Sequence, residues 1–189
     1  MTWHARPDTA TIVVLLPVYN GEKFLAEQID SILAQSHQNL QLVCRDDMST
    51  DASLAVLQSY VDKHPGRVQL LRDDKGNLGA SGSFSVLMQW ALDNCGKEQN
   101  VYIALADQDD VWHADKLQCC LRALQKAEQN SSPLPLLVHS DLRVVNAEGG
   151  EIAPSLMQYQ GLDASRTQFA AQLISNTVTG CTSLMNLAL

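Results

Sequence analysis

The sequence has little positive charge, no Cys-x-x-Cys motif and no long apolar run, and each absence argues against a class of protein. Only 13 lysines and arginines stand against 21 acidic residues, giving a net charge of −8; this argues against binding nucleic acid or adhering to anionic lipid. No apolar run approaches the roughly 20 residues of a membrane helix, so we expect at most peripheral membrane association. The five cysteines form no Cys-x-x-Cys pair, which is typical of small buried side chains in a reducing compartment.

The N-terminus and the length add further expectations. Residues 1–10 contain no apolar signal-peptide core, so the sequence predicts a cytoplasmic protein, including one that works at the cytoplasmic face of the inner membrane. The 189 residues are enough for one domain with its own core. We therefore expect a single domain over residues 1–189. The pattern at residues 186–189 carries no capping or breaker signal, and this predicts that the C-terminal part of the domain is missing.

Short apolar segments alternate along the chain with amphipathic ones, which is the pattern of an α/β protein. Strands are expected at residues 11–16, 40–44, 68–71, 101–106 and 136–145. Helices are expected at about 22–35 and 113–128. Two more are expected between these, one that ends at 64–66 and one that contains 84–91 and ends at 94–96. Weaker patterns indicate a helix at 164–175 and a strand at 177–185. Asn20 is expected to cap the first helix, and Ser49 or Thr50 the second. The alternation predicts a Rossmann-like, mostly parallel sheet flanked by helices, with right-handed crossovers.

Polar residues follow three of the predicted strands at the point where each strand ends. They are Tyr19 and Asn20, then Asp46 and Asp47, then the acidic segment 107–110. Taken singly, each has an ordinary interpretation as a surface turn or a helix cap. Ligands of such sheets bind outside the carboxyl ends of the strands, however, so the topology predicts that the three groups converge on one site.

The acidic segment Asp107-Gln108-Asp109-Asp110 is the strongest of these features. It follows a buried strand, and charge near a protein interior needs a partner. If the chain is still extended there, Asp107 and Asp109 face the same way, and two carboxylates suit a hard divalent ion such as Mg²⁺. The alternative is a solvated acidic turn that caps the next helix.

Two common solutions for binding nucleotide phosphates are absent. No Gly-x-Gly-x-x-Gly follows the first strand, and no Gly-x-x-x-x-Gly-Lys-Ser/Thr occurs anywhere. Pro17 has no N–H to offer at the first turn. The loop Gly76-Asn77-Leu78-Gly79, at the start of a helix, could supply N–H groups to a phosphate; the alternative is a surface loop without a ligand.

The ordered motifs resemble those of the family 2 glycosyltransferases with a GT-A fold. The resemblance rests on the strand that runs into Pro17-Val18-Tyr19-Asn20, on Asp46-Asp47-Met48-Ser49-Thr50-Asp51, and on Asp107-Gln108-Asp109-Asp110. Met48 stands where the family usually has glycine. The segments 139–142 and 176–186 are similar to the rhamnosyltransferase-like branch. The resemblance covers about residues 11–186.

The resemblance implies an inverting, metal-dependent transfer of a sugar, with rhamnose as a candidate, from a dTDP- or UDP-linked donor to a polysaccharide or lipid-linked glycan. Tyr19 would lie against the base, Asp47 would hydrogen-bond the base edge, and Asp107 would approach the ribose or the metal. Asp107 and Asp109 are the implied ligands of Mg²⁺ or Mn²⁺. The complete set expected to bind the nucleotide is Pro17, Tyr19, Asn20, Asp47, Asn77, Gly79 and Asp107.

The catalytic base is expected beyond Leu189, because the family carries it on a later acidic segment. Asp141 is the one candidate within the chain, and an ordinary structural role is its alternative. We therefore expect this chain to bind donor but to transfer sugar poorly. Two other functions remain open. One is a nucleotidyltransferase, which would release pyrophosphate from a nucleoside triphosphate. The other is a non-catalytic domain that binds sugar nucleotides.

Overall fold

The computed structural model describes residues 10–96, 100–131, 134–166, 168, 170, 172 and 176–188, without the side chains of residues 130 and 131. The strands within these residues are β1 (Thr11–Val18), β2 (Leu40–Asp46), β3 (Val68–Leu71), β4 (Val101–Leu105), β5 (Leu137–His139), β6 (Val144–Val145), β7 (Glu151–Ala153) and β8 (Ser183–Asn186). The helices are α1 (Leu25–Leu33), α2 (Ser53–Lys63), α3 (Gly79–Cys95), α4 (Lys116–Ser131) and α5 (Leu156–Gln160), with a 3₁₀ turn at Gly180–Thr182.

Six strands form the main sheet, in the order β3-β2-β1-β4-β8-β5. The first four in that order are parallel to one another, whereas β8 runs antiparallel to both β4 and β5. Strands β6 and β7 form a separate antiparallel pair. The predicted α/β class with a mostly parallel sheet is confirmed, and the carboxyl ends of β1, β2 and β4 lie side by side.

The apolar run of β1 is buried on both faces of the sheet. Ile12, Val14 and Leu16 pack with the inner residues of α1, α2 and α4 on one face. Val13 and Leu15 pack with those of α3 on the other face. All five side chains are fully buried, as expected for a central parallel strand covered by helices on both sides. Within the described residues, no helix is both long enough and apolar enough to cross a bilayer.

Two of the predicted strands are wrong in extent. The strand expected at 136–145 is not continuous: β5 ends at His139, and Val144–Val145 pairs instead with β7. The strand expected at 177–185 begins only at Ser183, because residues 180–182 form a 3₁₀ turn. Half of the residues of the helix expected at 164–175 lie outside the described residues.

The predicted helix caps are also wrong. Phe24 and Ala52 occupy the N-cap positions of α1 and α2, without a side-chain cap. The Asn20 side-chain oxygen instead accepts a hydrogen bond from the Thr50 N–H, at 2.8 Å. The Ser49 hydroxyl oxygen accepts one from the Asn20 N–H, at 3.0 Å. These polar side chains therefore join the turn after β1 to the turn after β2.

Candidate functional site

A cavity of about 570 Å³ opens at the carboxyl ends of β1, β2 and β4. It is lined by six of the seven residues expected to bind a nucleotide, namely Pro17, Tyr19, Asp47, Asn77, Gly79 and Asp107, and by the expected metal ligand Asp109. Asn20 does not line it, but ties the two adjacent turns together. The cavity is also lined by residues not proposed for the site from sequence: Val18, Met48, Ala80, Ser83, Phe84 and Gln108.

The acidic segment after β4 forms a turn instead of continuing the strand. Because β4 ends at Leu105, the expected alternation of Asp107 and Asp109 does not apply. The ligand atoms of Asp107, Asp110 and Cys181 lie within 4.8 Å of one another, while Asp109 is exposed. One carboxylate oxygen of Asp110, Oδ2, is buried and has no hydrogen-bond partner among the described residues.

The electrostatics of this turn favour a cation. Burial raises the pKa of both Asp107 and Asp110, although a hydrogen bond with Cys181 opposes the shift in each. The charge of Asp109 raises the pKa of Asp107 further. The charges of Asp107 and Asp109 raise that of Asp110, against the opposing charge of Lys116. A bound cation would stabilise the ionised carboxylates. The Lys116 ammonium donates to the Cys181 carbonyl oxygen at 3.0 Å and lies 3.4 Å from the centre of the Trp112 ring. Burial lowers its pKa to about 8, so this ammonium is itself poorly solvated.

The side chain of Gln108 holds the backbone of Tyr19 in place. Its Oε1 accepts a hydrogen bond from the Tyr19 N–H at 2.8 Å, and its Nε2 donates to the Tyr19 carbonyl oxygen at 3.0 Å. This amide pair continues the contact between β1 and β4 beyond the ends of both strands. A larger residue at Gly21 would displace this amide, since a Cβ there would lie 2.6 Å from Gln108 Oε1. Tyr19, half exposed, is thus fixed at the cavity wall.

Arg45, the next-to-last residue of β2, is buried beside the cavity with only 1% of its surface exposed. Its guanidinium donates two hydrogen bonds to the Asp73 carboxylate, at 2.8 and 3.1 Å. It also donates to Asp47, to the Ser83 hydroxyl at 2.8 Å and to the Gly76 carbonyl oxygen at 2.9 Å. All five N–H donors of the guanidinium therefore have acceptors. The hydrogen bonds to Asp73 and Asp47 outweigh burial and raise the pKa of Arg45.

The Asp47 carboxylate anchors the start of α3. In addition to the hydrogen bond from Arg45, it accepts hydrogen bonds from the N–H groups of Leu78 and Gly79, both at 2.8 Å. Burial raises the pKa of Asp47, but the hydrogen bonds from Leu78, Arg45, Ser83 and Gly79 together lower it below its ordinary value. The Leu78 and Gly79 N–H groups, which the sequence suggested for a phosphate, are thus already engaged by a side chain of the protein.

Asp141 is not among the residues that line the cavity, and it lies in the exposed loop after β5. Its carboxylate accepts hydrogen bonds from the Leu142 N–H at 2.8 Å, the Met157 N–H at 3.2 Å and the Ser155 hydroxyl. Asp141 therefore fixes the first turn of α5. This is the ordinary structural role that the sequence left open as the alternative to a catalytic base. The sequence carried one usable signal for the missed Arg45, a charged residue directly after an apolar strand, but nothing that identified its partner Asp73 in a later loop.

The sequence profile of the family described as Glycosyl transferase family 2 matches residues 13–183. Among curated relatives, the putative glycosyltransferase EpsE of Bacillus subtilis (strain 168) is 30% identical over 159 residues, which are 84% of this chain and 53% of EpsE. The dTDP-rhamnosyl transferase RfbG of Shigella flexneri is 29% identical over 109 residues, 58% of this chain and 36% of RfbG. The chain thus spans about half the length of EpsE and less of RfbG.

Solved structures share the fold at low sequence identity. S. aureus TarS 1-349 superposes with a TM-score of 0.64 at 19% identity, over 94% of this chain and 47% of that one; TarS 1-349 has also been solved in complex with UDP. The mannosyltransferase PcManGT from Pyrobaculum calidifontis, solved with GDP-Man and Mn²⁺, gives a TM-score of 0.54 at 21% identity, over 75% of this chain and 39% of that one. These likenesses confirm the GT-A type of sheet.

Proposed function

Because the chain belongs to glycosyl transferase family 2, we propose that it binds a nucleoside diphosphate sugar in the cavity beyond β1, β2 and β4 and transfers the sugar to a glycan or lipid-linked acceptor. The observation that carries this is the convergence of three distant segments, around Tyr19, Asp47 and Asp107, on one cavity of about 570 Å³. UDP in TarS and GDP-Man in PcManGT support the class of donor.

The cavity wall supplies a set of contacts suited to a nucleotide. Tyr19, fixed by Gln108, would lie against the base. Asp47, which already accepts hydrogen bonds from Leu78, Gly79 and Arg45, would present its carboxylate to the base edge. The match to a dTDP-rhamnosyl transferase makes dTDP-rhamnose a candidate donor beside UDP sugars. A lipid-linked acceptor would bring the protein to the cytoplasmic face of the membrane.

The acidic turn fits a hard divalent cation. Asp110 has a buried carboxylate oxygen without a hydrogen-bond partner among the described residues. A carboxylate oxygen of Asp110 also lies within 4.8 Å of one of Asp107, and the exposed Asp109 lines the cavity. Burial and the two carboxylates raise the pKa of Cys181, and the two carboxylates supply hard oxygen ligands. Oxygen ligands then favour Mg²⁺ or Mn²⁺. When bound, such an ion stabilises the charge that develops on the departing diphosphate.

Transfer would proceed by one in-line displacement, with inversion at the anomeric carbon. The acceptor hydroxyl attacks from the face opposite the diphosphate and loses its proton to a general base. Among the described residues, the carboxylates that line the cavity are Asp47, Asp107 and Asp109, which face the donor in this proposal. Asp141 is engaged with α5. We propose that the base comes from a segment outside these residues, so the chain binds donor but transfers sugar slowly.

The test is calorimetric titration with UDP, dTDP and GDP, each with and without Mn²⁺. We expect metal-dependent binding that Asp109→Ala weakens more than about tenfold, since one lost charge contact of this kind is worth more than about 1.4 kcal/mol. Asp115→Ala removes an exposed acidic side chain outside the cavity wall and should leave binding unchanged. A folded protein that binds none of the three nucleotides would contradict the proposal. Release of pyrophosphate from a nucleoside triphosphate would favour a nucleotidyltransferase instead.

A further inference from the structure

Met48 has an unusual backbone conformation for a methionine. Its φ is 68°, in the left-handed region that glycine enters freely and that costs a bulky side chain free energy. The other described non-glycine residues with positive φ are Asn20 and Asn100, and asparagine tolerates this conformation. Backbone strain of this kind concentrates at functional sites, and Met48 lies at the wall of the cavity.

The surrounding turn imposes this conformation whatever residue occupies position 48. The carbonyl oxygen of Asp47 accepts a hydrogen bond from the Asn77 side chain at 2.8 Å. The N–H of Ser49 donates to the Asp46 carboxylate at 3.1 Å, and its hydroxyl oxygen is bound by the turn after β1. The peptide units on both sides of Met48 are therefore fixed from outside, and a glycine would fit the turn without strain.

The side chain of Met48 contributes little to the hydrophobic core. It is 62% exposed, yet it lines the cavity together with Tyr19, Ala80 and Phe84. An exposed methionine gains little from folding, so the fold alone gives no reason for a methionine in place of glycine at this position. A thioether at a cavity wall can adapt to a flat ring and makes favourable contacts with it.

We propose that Met48 contacts the nucleobase of the bound donor and thereby contributes to affinity for the nucleoside part of the ligand. This rests on the proposed function, since it presupposes a nucleoside diphosphate in the cavity. Met48 and the half-exposed Tyr19 then supply two apolar surfaces for the base. The diphosphate, in contrast, is bound at the acidic turn and gains nothing from Met48.

The proposal predicts that stability and affinity change in opposite directions. Met48→Gly removes both the strain and the side chain, while Met48→Asn lowers the strain and replaces the apolar group by a polar one. Met48→Leu keeps an apolar side chain and the strain. The melting temperature should be highest for Met48→Gly and lower for Met48→Asn. It should be lowest for the native chain and Met48→Leu, which should melt at about the same temperature. Affinity for the nucleotide should be higher for the native chain and Met48→Leu than for Met48→Asn and Met48→Gly.

The experiment combines thermal unfolding with calorimetric titration in the presence of Mn²⁺, using inorganic pyrophosphate and the tightest-binding of UDP, dTDP and GDP. For Met48→Gly we expect the melting temperature to rise by about 2–4 °C and the nucleotide Kd by about 5- to 10-fold. The Kd for pyrophosphate should stay within about twofold, because that probe lacks a base. Asn100→Gly, at the opposite end of the sheet with φ of 59°, is the control whose nucleotide Kd should not change.

An unchanged nucleotide Kd in Met48→Gly would overturn the proposal. So would an equal loss of affinity for nucleotide and pyrophosphate, because the substitution would then act through the turn and not through the base. Failure of the native, folded chain to bind any of the three nucleotides would be a different result. It would refute the nucleotide site itself, and this inference with it.

Discussion

Replacing Arg45 by methionine should remove a large part of the stability of this protein. The substitution keeps an apolar stem but deletes all five hydrogen bonds of a guanidinium that is 1% exposed. It leaves Asp47, 2% exposed, without its ion partner. Breaking a buried pair in this way costs about 3–5 kcal/mol, which is a substantial share of the roughly 5–15 kcal/mol of a whole domain.

Equilibrium unfolding in urea measures this loss, with a matched control on the same chain. Arg143 pairs with Glu151 at 3.3 Å, but both side chains are about half exposed, at 56% and 48%. Arg143→Met should therefore cost no more than about 1 kcal/mol. The slope of the unfolding free energy against urea concentration should be unchanged in both variants, because neither substitution alters by much the surface exposed on unfolding.

The reasoning would be refuted if Arg45→Met lost less than about 1 kcal/mol, or no more than Arg143→Met. A small loss would mean that Asp47 regains water or other partners when the guanidinium is removed. Nucleotide affinity gives a second measurement on the same variant. The loop at Gly76 and the start of α3 both depend on this network, so the Kd for the nucleotide should rise together with the loss of stability.

Two further predictions concern pH and the Gln108 side chain. Hydrogen bonding to Arg45 lowers the pKa of Asp73, and a similar bond contributes to the lowered pKa of Asp47. The two ionised carboxylates therefore stabilise the folded state fully above the unfolded pKa of about 3.9, and this stabilisation is lost as the pH falls below it. The deficit of Asp73→Asn in urea unfolding should therefore be constant from about pH 5 to 8 and shrink below about pH 4; a constant deficit at pH 3 would contradict this. Gly21→Ala should weaken nucleotide binding in titrations of the native chain, because its Cβ would lie 2.6 Å from Gln108 Oε1. Combined with Gln108→Ala it should add little further loss, and full additivity would argue against the clash.

The sheet and the position of the cavity could be predicted from the sequence because both depend on local patterns and one topological rule. The continuous apolar run of β1 is the signature of a strand buried on both faces, and β1 is central in the sheet. Alternation of strands with helices predicts parallel pairing, which places the ends of β1, β2 and β4 together. The residues around Tyr19, Asp47 and Asp107 therefore line one cavity without any contact having been known in advance.

Other features depend on contacts between distant segments and leave no local pattern. Asn20 and Ser49 have side chains suited to capping, but each binds the turn that contains the other. Arg45 finds Asp73 in a loop 28 residues later. The turn at Asp107 depends on contacts such as the hydrogen bond from the Gln28 side chain to the Asp107 carbonyl oxygen, at 2.9 Å. Periodicity within one segment cannot predict interactions of this kind.

The break in the predicted strand at 136–145 has a similar origin. The segment is apolar enough for one strand, but its partner β8 spans only Ser183–Asn186, and pairing stops at His139. Beyond that point the Leu142 carbonyl oxygen accepts a hydrogen bond from the Leu156 N–H, at 2.7 Å. The length of a strand is set here by the partner, which lies more than 40 residues away in the sequence and runs antiparallel.

The place of β8 inside the sheet has a consequence for biosynthesis. One edge of β4 pairs with β8, and β5 joins the sheet through β8. Ribosomes add about 5–20 residues per second, so the roughly 80 residues between β4 and β8 leave that edge of β4 without its final partner for several seconds. Unpaired edges of this kind invite association with other chains. A nascent chain that stalls before β8 is therefore a natural substrate for chaperones, whereas one that has passed it can close its sheet.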